Sequence, residues 1–196
     1  MTTPPKTDGR KQRAERHKNA VLRALLRAVR EQGQVPAVAD LAQLAGVSSR
    51  TVFRLFADME SLHVAAISLQ RAEVIDRFPP PFPMGQPLDE RVSLLVAHRA
   101  AVYEFIRPLR RVAETFKEQS AFVRDDIAQT HRELQMHAVL MVGDALPATP
   151  AMRGPAEHAL GLATGFPNWR ASREEAGLTI DEAKGAVEAL VWGLLG

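Results

Sequence analysis

The sequence predicts an all-α protein of about nine helices. Two observations carry this prediction: apolar residues recur at i, i+3, i+4 and i+7 along most of the chain, and glycine or proline stands between the periodic segments. No stretch of useful length alternates with the two-residue period of a strand, and no internal repeat is present. We therefore expect helices joined by short turns.

The first third of the chain predicts four helices. A helix from about Arg10 to Gln32 ends at Gly33, and Pro36 opens a short second one. Gly46 breaks this second helix, and Ser48 is a good N-cap for a third. Asp58 can cap a fourth helix that continues to about residue 78. The apolar faces of the first three helices are Leu22, Leu25, Leu26 and Val29; Val38, Leu41, Ala42 and Ala45; and Val52, Leu55 and Phe56.

The remainder predicts a helical bundle. Five prolines between residues 79 and 87 form a connector, and helices are expected over 88–106, 109–117 and 120–145, with the first of these ending near Pro108. A second break spans 147–155, followed by helices over 156–176, which Pro167 should kink, and 180–195. Thr179 and Glu182 form a capping box for the last helix. The predicted domains are a flexible arm (1–9), a three-helix domain (10–58) and a helical bundle (59–196).

Charge is distributed unevenly. Residues 1–60 contain eleven Lys and Arg against six Asp and Glu, whereas residues 61–196 contain fourteen against seventeen. A basic segment at one end indicates a polyanionic partner for that end, with a solvated helix face as the alternative. The cationic cluster of the first helix comprises Arg10, Lys11, Arg13, Arg16 and Lys18.

Two short helices around Ala45, Gly46 and Val47 match the spacing of a helix-turn-helix. In that motif the second helix presents its N-terminal outward residues to the major groove of DNA, where arginine pairs with guanine. An αα-corner inside a larger helical protein is the alternative, and the basic cluster favours the DNA reading. The candidate DNA-binding residues on and beside this helix are Ser48, Ser49, Arg50, Thr51, Phe53, Arg54 and Met59.

Residues 38–62, VADLAQLAGVSSRTVFRLFADMESL, resemble the DNA-binding motif of TetR-family transcriptional repressors. Residues 168–195, NWRASREEAGLTIDEAKGAVEALVWGLL, are similar to the last two helices of that family. The resemblance implies an N-terminal three-helix DNA-binding domain, called the reading head below, and a helical domain for ligand binding and dimerisation. It further implies a homodimer on a palindromic double-stranded DNA operator. It also implies that a small-molecule effector releases the DNA.

Three positions depart from the family pattern, which usually has Tyr at residue 53, often His or Tyr at residue 55, and commonly Lys at residue 59. This chain has Phe53, Leu55 and Met59 instead. Side-chain anchors for phosphate are therefore absent there, and we expect the basic cluster and the backbone N–H groups near Met59 to replace them. A helical interaction or small-molecule carrier protein with a weakened reading head is the alternative.

Candidate ligand and dimer residues come from the C-terminal half. Large apolar groups are expected either to form a core or to line a pocket for an apolar or amphipathic effector, and three polar groups to orient it. These ligand candidates are Phe105, Phe116, Phe122, Met136, Met141, Phe166 and Trp169, with His98, Tyr103 and Asn168 as the polar groups. The apolar last helix, which needs a cover, and the helix before it give the dimer candidates, which are Leu160 in the earlier helix and Ala183, Val187, Leu190, Val191 and Leu194 in the last one.

No catalytic or metal-binding motif stands out. Cysteine is absent, His131 and His137 lie on different helix faces, and G-x-S-x-G, phosphate-loop and His-Glu-x-x-His patterns are missing. We expect no enzyme activity, no cofactor and no metal. The longest run without a charged residue is twelve residues (158–169), and the polar N-terminus lacks an apolar signal region, so a cytoplasmic protein without a membrane partner is expected.

Overall fold

The computed structural model describes residues 7–196, with side chains from residue 9 onward. These residues form helices and contain no strand. A 3-10 turn (Gly143–Ala145) extends the sixth helix and a π-helical turn (Ala171–Glu175) extends the eighth. The helices are α1 (Thr7–Gln32), α2 (Val38–Leu44), α3 (Ser49–Leu55), α4 (Met59–Arg77), α5 (Leu88–Phe116), α6 (Ala121–Val142), α7 (Pro150–Ala163), α8 (Phe166–Arg170) and α9 (Ile180–Leu195). The all-α prediction is confirmed.

Of the expected flexible arm 1–9, residues 1–6 lie outside the described residues. Residues 7–9 belong to α1, which therefore begins earlier than the expected Arg10, and the flexible arm stays a prediction.

The described chain divides into two compact units. The first unit contains the residues up to Glu73 together with Pro108–Val123, and the second contains Val74–Arg107 and Arg124–Gly196. The division by packing therefore differs from the expected domain boundary at residue 58, because much of α4 packs with the first three helices. The functional division at that boundary stays a prediction.

The first unit has its own apolar core. It is built from the faces that the sequence indicated: Leu22, Leu25 and Val29 of α1 pack with Leu41 of α2 and Val52 of α3. Leu62 and Ala66 of α4 complete the same cluster, which also takes in Leu109. Burial of these side chains fixes where α3 lies on α1 and α2.

Helix α5 does not stop near Pro108 but continues to Phe116, so the separate helix expected over 109–117 does not exist. A proline inside a helix costs about 3 kcal/mol, since it removes one hydrogen bond and crowds the preceding turn. Burying one large aliphatic side chain stabilises the folded state by about 1.5–3 kcal/mol. Leu109 and Val112 pack on the first unit's core directly after Pro108, and this burial keeps the helix continuous.

The single helix expected over 156–176 is also wrong, because the chain breaks between α7 and α8. At the break, a Cβ on Gly165 would lie 2.8 Å from the carbonyl oxygen of Gly161, so only glycine fits there. Pro167 stands in the first turn of α8, where its missing N–H is harmless, and it does not kink a longer helix. Pro150 likewise opens α7 inside the segment that was expected to be a break.

Helix α9 begins as the sequence predicted. The Thr179 side chain accepts from the Glu182 backbone N–H at 3.3 Å, and the Glu182 carboxylate accepts from the Thr179 N–H at 2.7 Å. Among the described helices, none is both long enough and apolar enough to cross a lipid bilayer.

Candidate nucleic-acid interface

A glycine turn and a serine cap set the start of α3. Gly46 has a φ of +67°, a left-handed conformation that side chains rarely adopt, and it turns the chain sharply after α2. Ser48 then caps α3, its Oγ accepting from the Thr51 N–H at 3.2 Å. Both predictions are confirmed. Together these residues make α2, the turn and α3 a helix-turn-helix on the core of the first unit.

The two faces of α3 differ in chemistry. Val52 is buried and Leu55 is half-buried against the first unit's core, whereas Arg50 and Arg54 are exposed. Phe53 is 63% exposed, which is unusual for an aromatic side chain without a partner. This outward face offers two guanidinium groups and one ring to a large partner.

Ser49 and Thr51 are less available than the arginines. Both are half-buried, and the Thr51 hydroxyl lies 2.9 Å from Ser48 Oγ, so it belongs to the cap. Ser48 itself is exposed while its oxygen serves the helix end. Their roles in contacting DNA stay predictions.

The start of α4 carries acidic groups. Asp58 Oδ1 accepts from the Ser61 N–H at 2.7 Å, and Glu60 Oε1 accepts from the Ser120 hydroxyl at 2.9 Å. A helix N-terminus favours anions, but the Asp58 carboxylate already binds one of the N–H groups there and the Glu60 carboxylate adds a second negative charge nearby. Met59, which is 38% exposed, lies between them. A phosphate contact through bare backbone at Met59 stays a prediction, and the local charge opposes it.

The basic cluster lies on helix rather than on a flexible arm. Arg10, Lys11, Arg13 and Arg16 are exposed on the first turns of α1, and Lys18 is half-buried. Buried residues of α1 begin only at residue 21, so these turns precede the apolar core. With about 3.6 residues per turn, the five cations point in several directions around the helix, and one DNA backbone cannot meet all of them.

Comparison with known proteins supports this architecture. A search of solved structures matches the crystal structure of a proposed TetR-family transcriptional regulator from Rhodococcus sp., with a TM-score of 0.70 over 92% of this chain and 99% of that one. The chain has the TetR-family fold. Identity is 15%, so the likeness concerns the fold and transfers no residue roles. No family model matches the sequence, and no curated protein matches it.

Within this TetR-type fold, the ten ligand candidates are divided between the two units, and their role in binding a ligand stays a prediction. Phe116 and Phe122 belong to the first unit and the other eight to the second. Met136 is 69% exposed, and Phe122 lies at the surface as well. Met141, Phe166 and Trp169 are buried in the second unit's core, where they pack against other apolar residues. Phe105 contacts the Phe78 ring and the Arg77 guanidinium.

The three polar ligand candidates have partners within the protein. The Tyr103 hydroxyl donates to the carbonyl oxygen of Thr164 at 2.8 Å, and Asn168 Nδ2 donates to that of Ala163 at 2.7 Å. These carbonyls end α7 and lack helical donors, so Tyr103 and Asn168 satisfy a helix terminus. His98 Nε2 lies 3.0 Å from the Phe78 carbonyl oxygen. The role expected for these groups, orienting a ligand, is opposed by these bonds.

Four of the six dimer candidates are also core residues of the TetR-type bundle. Leu160, Ala183, Val187 and Val191 are buried within the second unit, because α7 and α9 pack against each other there. A helix periodicity alone cannot separate a face buried inside the chain from one buried between chains. Leu190 is exposed and Leu194 is half-buried, so these two remain available to a partner.

Sequence reasoning missed a buried cation. Arg99 is 2% exposed, and its Nη2 donates to the Leu134 carbonyl oxygen at 2.8 Å and to His137 Nδ1 at 3.1 Å. Burial lowers the pKa of Arg99 and also that of His137. One signal was present in the sequence: Arg99 falls on the apolar stripe of α5 with Val92, Val96 and Tyr103.

Glu104 was missed as well. Its Oε1 accepts from Trp169 Nε1 at 3.0 Å and from Arg173 Nε at 2.9 Å, which ties α5 to α8 and the π-helical turn. Burial raises the pKa of Glu104, but the hydrogen bonds from Arg173 and Trp169 outweigh this and hold it below its ordinary value of 4.5. Glu104 therefore stays ionised at neutral pH and satisfies a buried indole N–H.

Proposed function

We propose that this chain is a TetR-family transcriptional regulator that binds operator DNA through α3. One observation carries the proposal: Arg50 and Arg54 project from a capped, outward face of the second helix of a helix-turn-helix, in a chain with the TetR-family fold. Arginine at such a position pairs with guanine O6 and N7 in the major groove, a contact worth about 1–3 kcal/mol of discrimination. The cations of α1 supply sequence-independent attraction to phosphate.

We further propose that the protein is a repressor that works in the cytoplasm as a homodimer on a palindromic operator, and that a small molecule releases it. The outward face of α9 supports the dimer: Gly185, Ala189, Trp192 and Gly193 are exposed, and none of the four carries a charge. A Cβ added to either glycine would meet nothing within 4 Å, so a second helix has room to approach closely. A two-fold pair of reading heads matches a palindrome.

An electrophoretic mobility shift assay tests the DNA proposal, using DNA from the flanks of the protein's own coding region at several salt concentrations. We expect a preferred sequence and a loss of that preference in Arg50→Ala. Arg124→Ala, which removes an exposed arginine of the second unit, is the matched control and should leave the preference intact. Binding without sequence preference that Arg50→Ala leaves unchanged would refute the proposal.

A helical carrier protein with a weakened reading head is the second candidate. The exposed apolar side chains of Phe53 and Met59 favour it, since they stand where polar anchors for phosphate are expected from the family resemblance. In that case the mobility shift assay would show only weak binding that salt abolishes for every sequence alike.

A further inference from the structure

Phe53 presents an aromatic ring to solvent on the outward face of α3. Its side chain is 63% exposed, the largest value among the eight phenylalanines of the chain, all of which lie in the described part. Val52, directly before it, is 3% exposed and anchors the helix. A partner that covers the ring gains free energy, because apolar surface is removed from water.

Two buried anchors determine which side of α3 faces outward. Val52 and Phe56, four residues apart, both belong to the apolar core of the first unit. With 3.6 residues per turn, the three exposed side chains of Arg50, Phe53 and Arg54 fall within an arc of about 100° around the helix. A surface that meets the two guanidinium groups therefore also meets the ring.

The chemistry of the ring limits what it can contact on DNA. A phenyl ring neither donates nor accepts an ordinary hydrogen bond, and placing it on a phosphate would take water from a charge without replacing it. In the major groove, guanine, cytosine and adenine present donors and acceptors, whereas thymine also presents its C5-methyl group. Phenylalanine is one of the side chains that make apolar contact with this methyl group. Thymine is therefore the base whose groove edge matches Phe53.

We propose that Phe53 is a specificity-determining residue that selects a thymine in the operator through contact with its 5-methyl group. This inference rests on the proposed DNA-binding function of α3 and adds to it a base that the arginines do not select. Arg50 and Arg54 pair with guanine through hydrogen bonds, whereas Phe53 acts through apolar contact. Cytosine at the same position is disfavoured twice, because it lacks the methyl group and places its N4 amino group against the ring.

The spacing along α3 also indicates where this thymine lies. Arg50 and Phe53 are three residues apart, and side chains at that spacing on a helix have Cβ atoms about 5–6 Å apart. Successive bases of one DNA strand are about 3.4 Å apart along the duplex axis. The thymine is therefore expected within about three base pairs of the guanine that Arg50 contacts.

Replacement of thymine by uracil tests the contact, since uracil lacks the 5-methyl group and keeps the O4 acceptor and the pairing edge. The probe is synthetic DNA with the sequence that the mobility shift assay selects from the flanks of the coding region, and each thymine is replaced in turn. We expect uracil at one thymine of a half-site to weaken binding about three- to fourfold, the effect of losing one buried carbon group. The synthetic DNA contains no 5-methylcytosine, so the methyl group concerned is that of thymine.

A double-mutant cycle assigns this methyl group to Phe53. Phe53→Ala should bind the thymine and uracil forms equally, because the ring that distinguishes them is gone. Phe82→Ala removes another exposed phenylalanine, 55% exposed between α4 and α5, and as the matched control should keep the three- to fourfold preference. The absence of a uracil effect at every position would overturn the proposal. A preference for thymine that survives Phe53→Ala would assign the ring to the deoxyribose backbone and would overturn it equally.

A direct measurement on the wild-type chain complements the cycle. NMR of the complex should show contacts between the methyl protons of the uracil-sensitive thymine and the Phe53 ring protons. Should Phe53→Ala fail to fold, these contacts decide the question, and their absence would refute the assignment.

The DNA-binding function is measured separately in the same scan. 7-Deazaguanine lacks the N7 acceptor, and its effect at the guanine of Arg50 should vanish in Arg50→Ala. Sequence preference that depends on Arg50, without a uracil effect, would remove the role of Phe53 and leave the DNA-binding function standing. A chain that prefers no sequence would refute both. Coupling of Phe53 to a thymine more than about three base pairs from that guanine would contradict the placement derived from the helix spacing.

Discussion

Arg99 donates a hydrogen bond from Nη2 to Nδ1 of His137 across 3.1 Å, inside the second unit. A guanidinium has no acceptor, so His137 Nδ1 must carry a lone pair and the ring must be neutral. The other nitrogen, Nε2, then holds the proton and donates it to the carbonyl oxygen of Pro81 at 2.7 Å. This pair joins α5 to α6 and fixes part of the proline-rich connector only while His137 is unprotonated.

We therefore expect stability to fall in mild acid. Burial lowers the pKa of His137 below its ordinary value of 6.5, and burial does the same for His98 and His63. As the pH falls through about 6.5 the unfolded chain takes up protons that the folded chain refuses, so the free energy of unfolding decreases until the folded pKa values are passed. Urea unfolding at a series of pH values from about 7.5 to 5.5 measures this.

The substitution His137→Gln tests how much of this pH dependence comes from the Arg99–His137 pair and how much from His98 and His63. Glutamine keeps one acceptor and one donor but does not titrate in this range, so the variant should show a weaker dependence of stability on pH. His158→Gln, at an exposed position on α7, is the control and should match the wild type. An unchanged pH dependence in His137→Gln would contradict the role given to the pair.

Met59→Lys tests where phosphate is contacted. A lysine at the start of α4 should tighten binding to all DNA sequences and steepen the slope of log K against log salt by about 0.9, the effect of one phosphate. Met152→Lys adds the same charge at an exposed position of α7 and should leave the slope unchanged. A slope that does not move in Met59→Lys would count against any phosphate near this residue.

Ala189→Glu tests the dimer. Ala189 lies on the outward face of α9 beside Gly185, Trp192 and Gly193, none of which is charged, and a carboxylate there would be buried without a partner in a helix-to-helix interface. Analytical ultracentrifugation should show twice the chain mass of 21.6 kDa for the wild type and a shift toward the monomer for the variant. Ala128→Glu, on an exposed position of α6, should stay dimeric. A dimeric Ala189→Glu would place the interface elsewhere.

Glu104→Leu tests the link between α5 and α8. The change leaves the N–H of Trp169, which is 1% exposed, without an acceptor, and we expect unfolding to cost about 1–3 kcal/mol less. Glu104→Gln keeps an acceptor for the indole and should lose less. Glu118→Leu, at an exposed site, serves as the control in the same urea titration. Equal stability of Glu104→Leu and wild type would mean that water satisfies the indole.

How far the sequence predicted the fold depends on the range of the interaction concerned. The starts of α3 and α9 were predictable, because Ser48 and the Thr179–Glu182 box act within three residues. The same holds for the apolar face of α1. The continuity of α5 through Pro108 was not predictable, since it depends on packing against α1 and α4, which are distant in sequence.

The candidate sites divide in the same way. Exposure of Arg50 and Arg54 follows from helix periodicity and was predicted. The roles of Tyr103, Asn168 and Leu160 depend on which helices pack together. In the structure, Tyr103 and Asn168 bind backbone carbonyls of the bundle and Leu160 is part of its core. Periodicity identifies a buried face but does not identify what covers it.

The ring of Phe53 has a thermodynamic consequence for any DNA complex that this chain forms. Removing a 63% exposed aromatic side chain from water on binding lowers the heat capacity of the system. Arginine contributes to the affinity in a different way, because its contact with phosphate releases counter-ions from the DNA. The part of the affinity that Phe53 supplies would persist at salt concentrations that weaken the rest. A helix of this composition relies less on electrostatic attraction to DNA and more on the desolvation of an apolar ring. Calorimetry across a range of temperatures would measure this as a more negative heat-capacity change on binding.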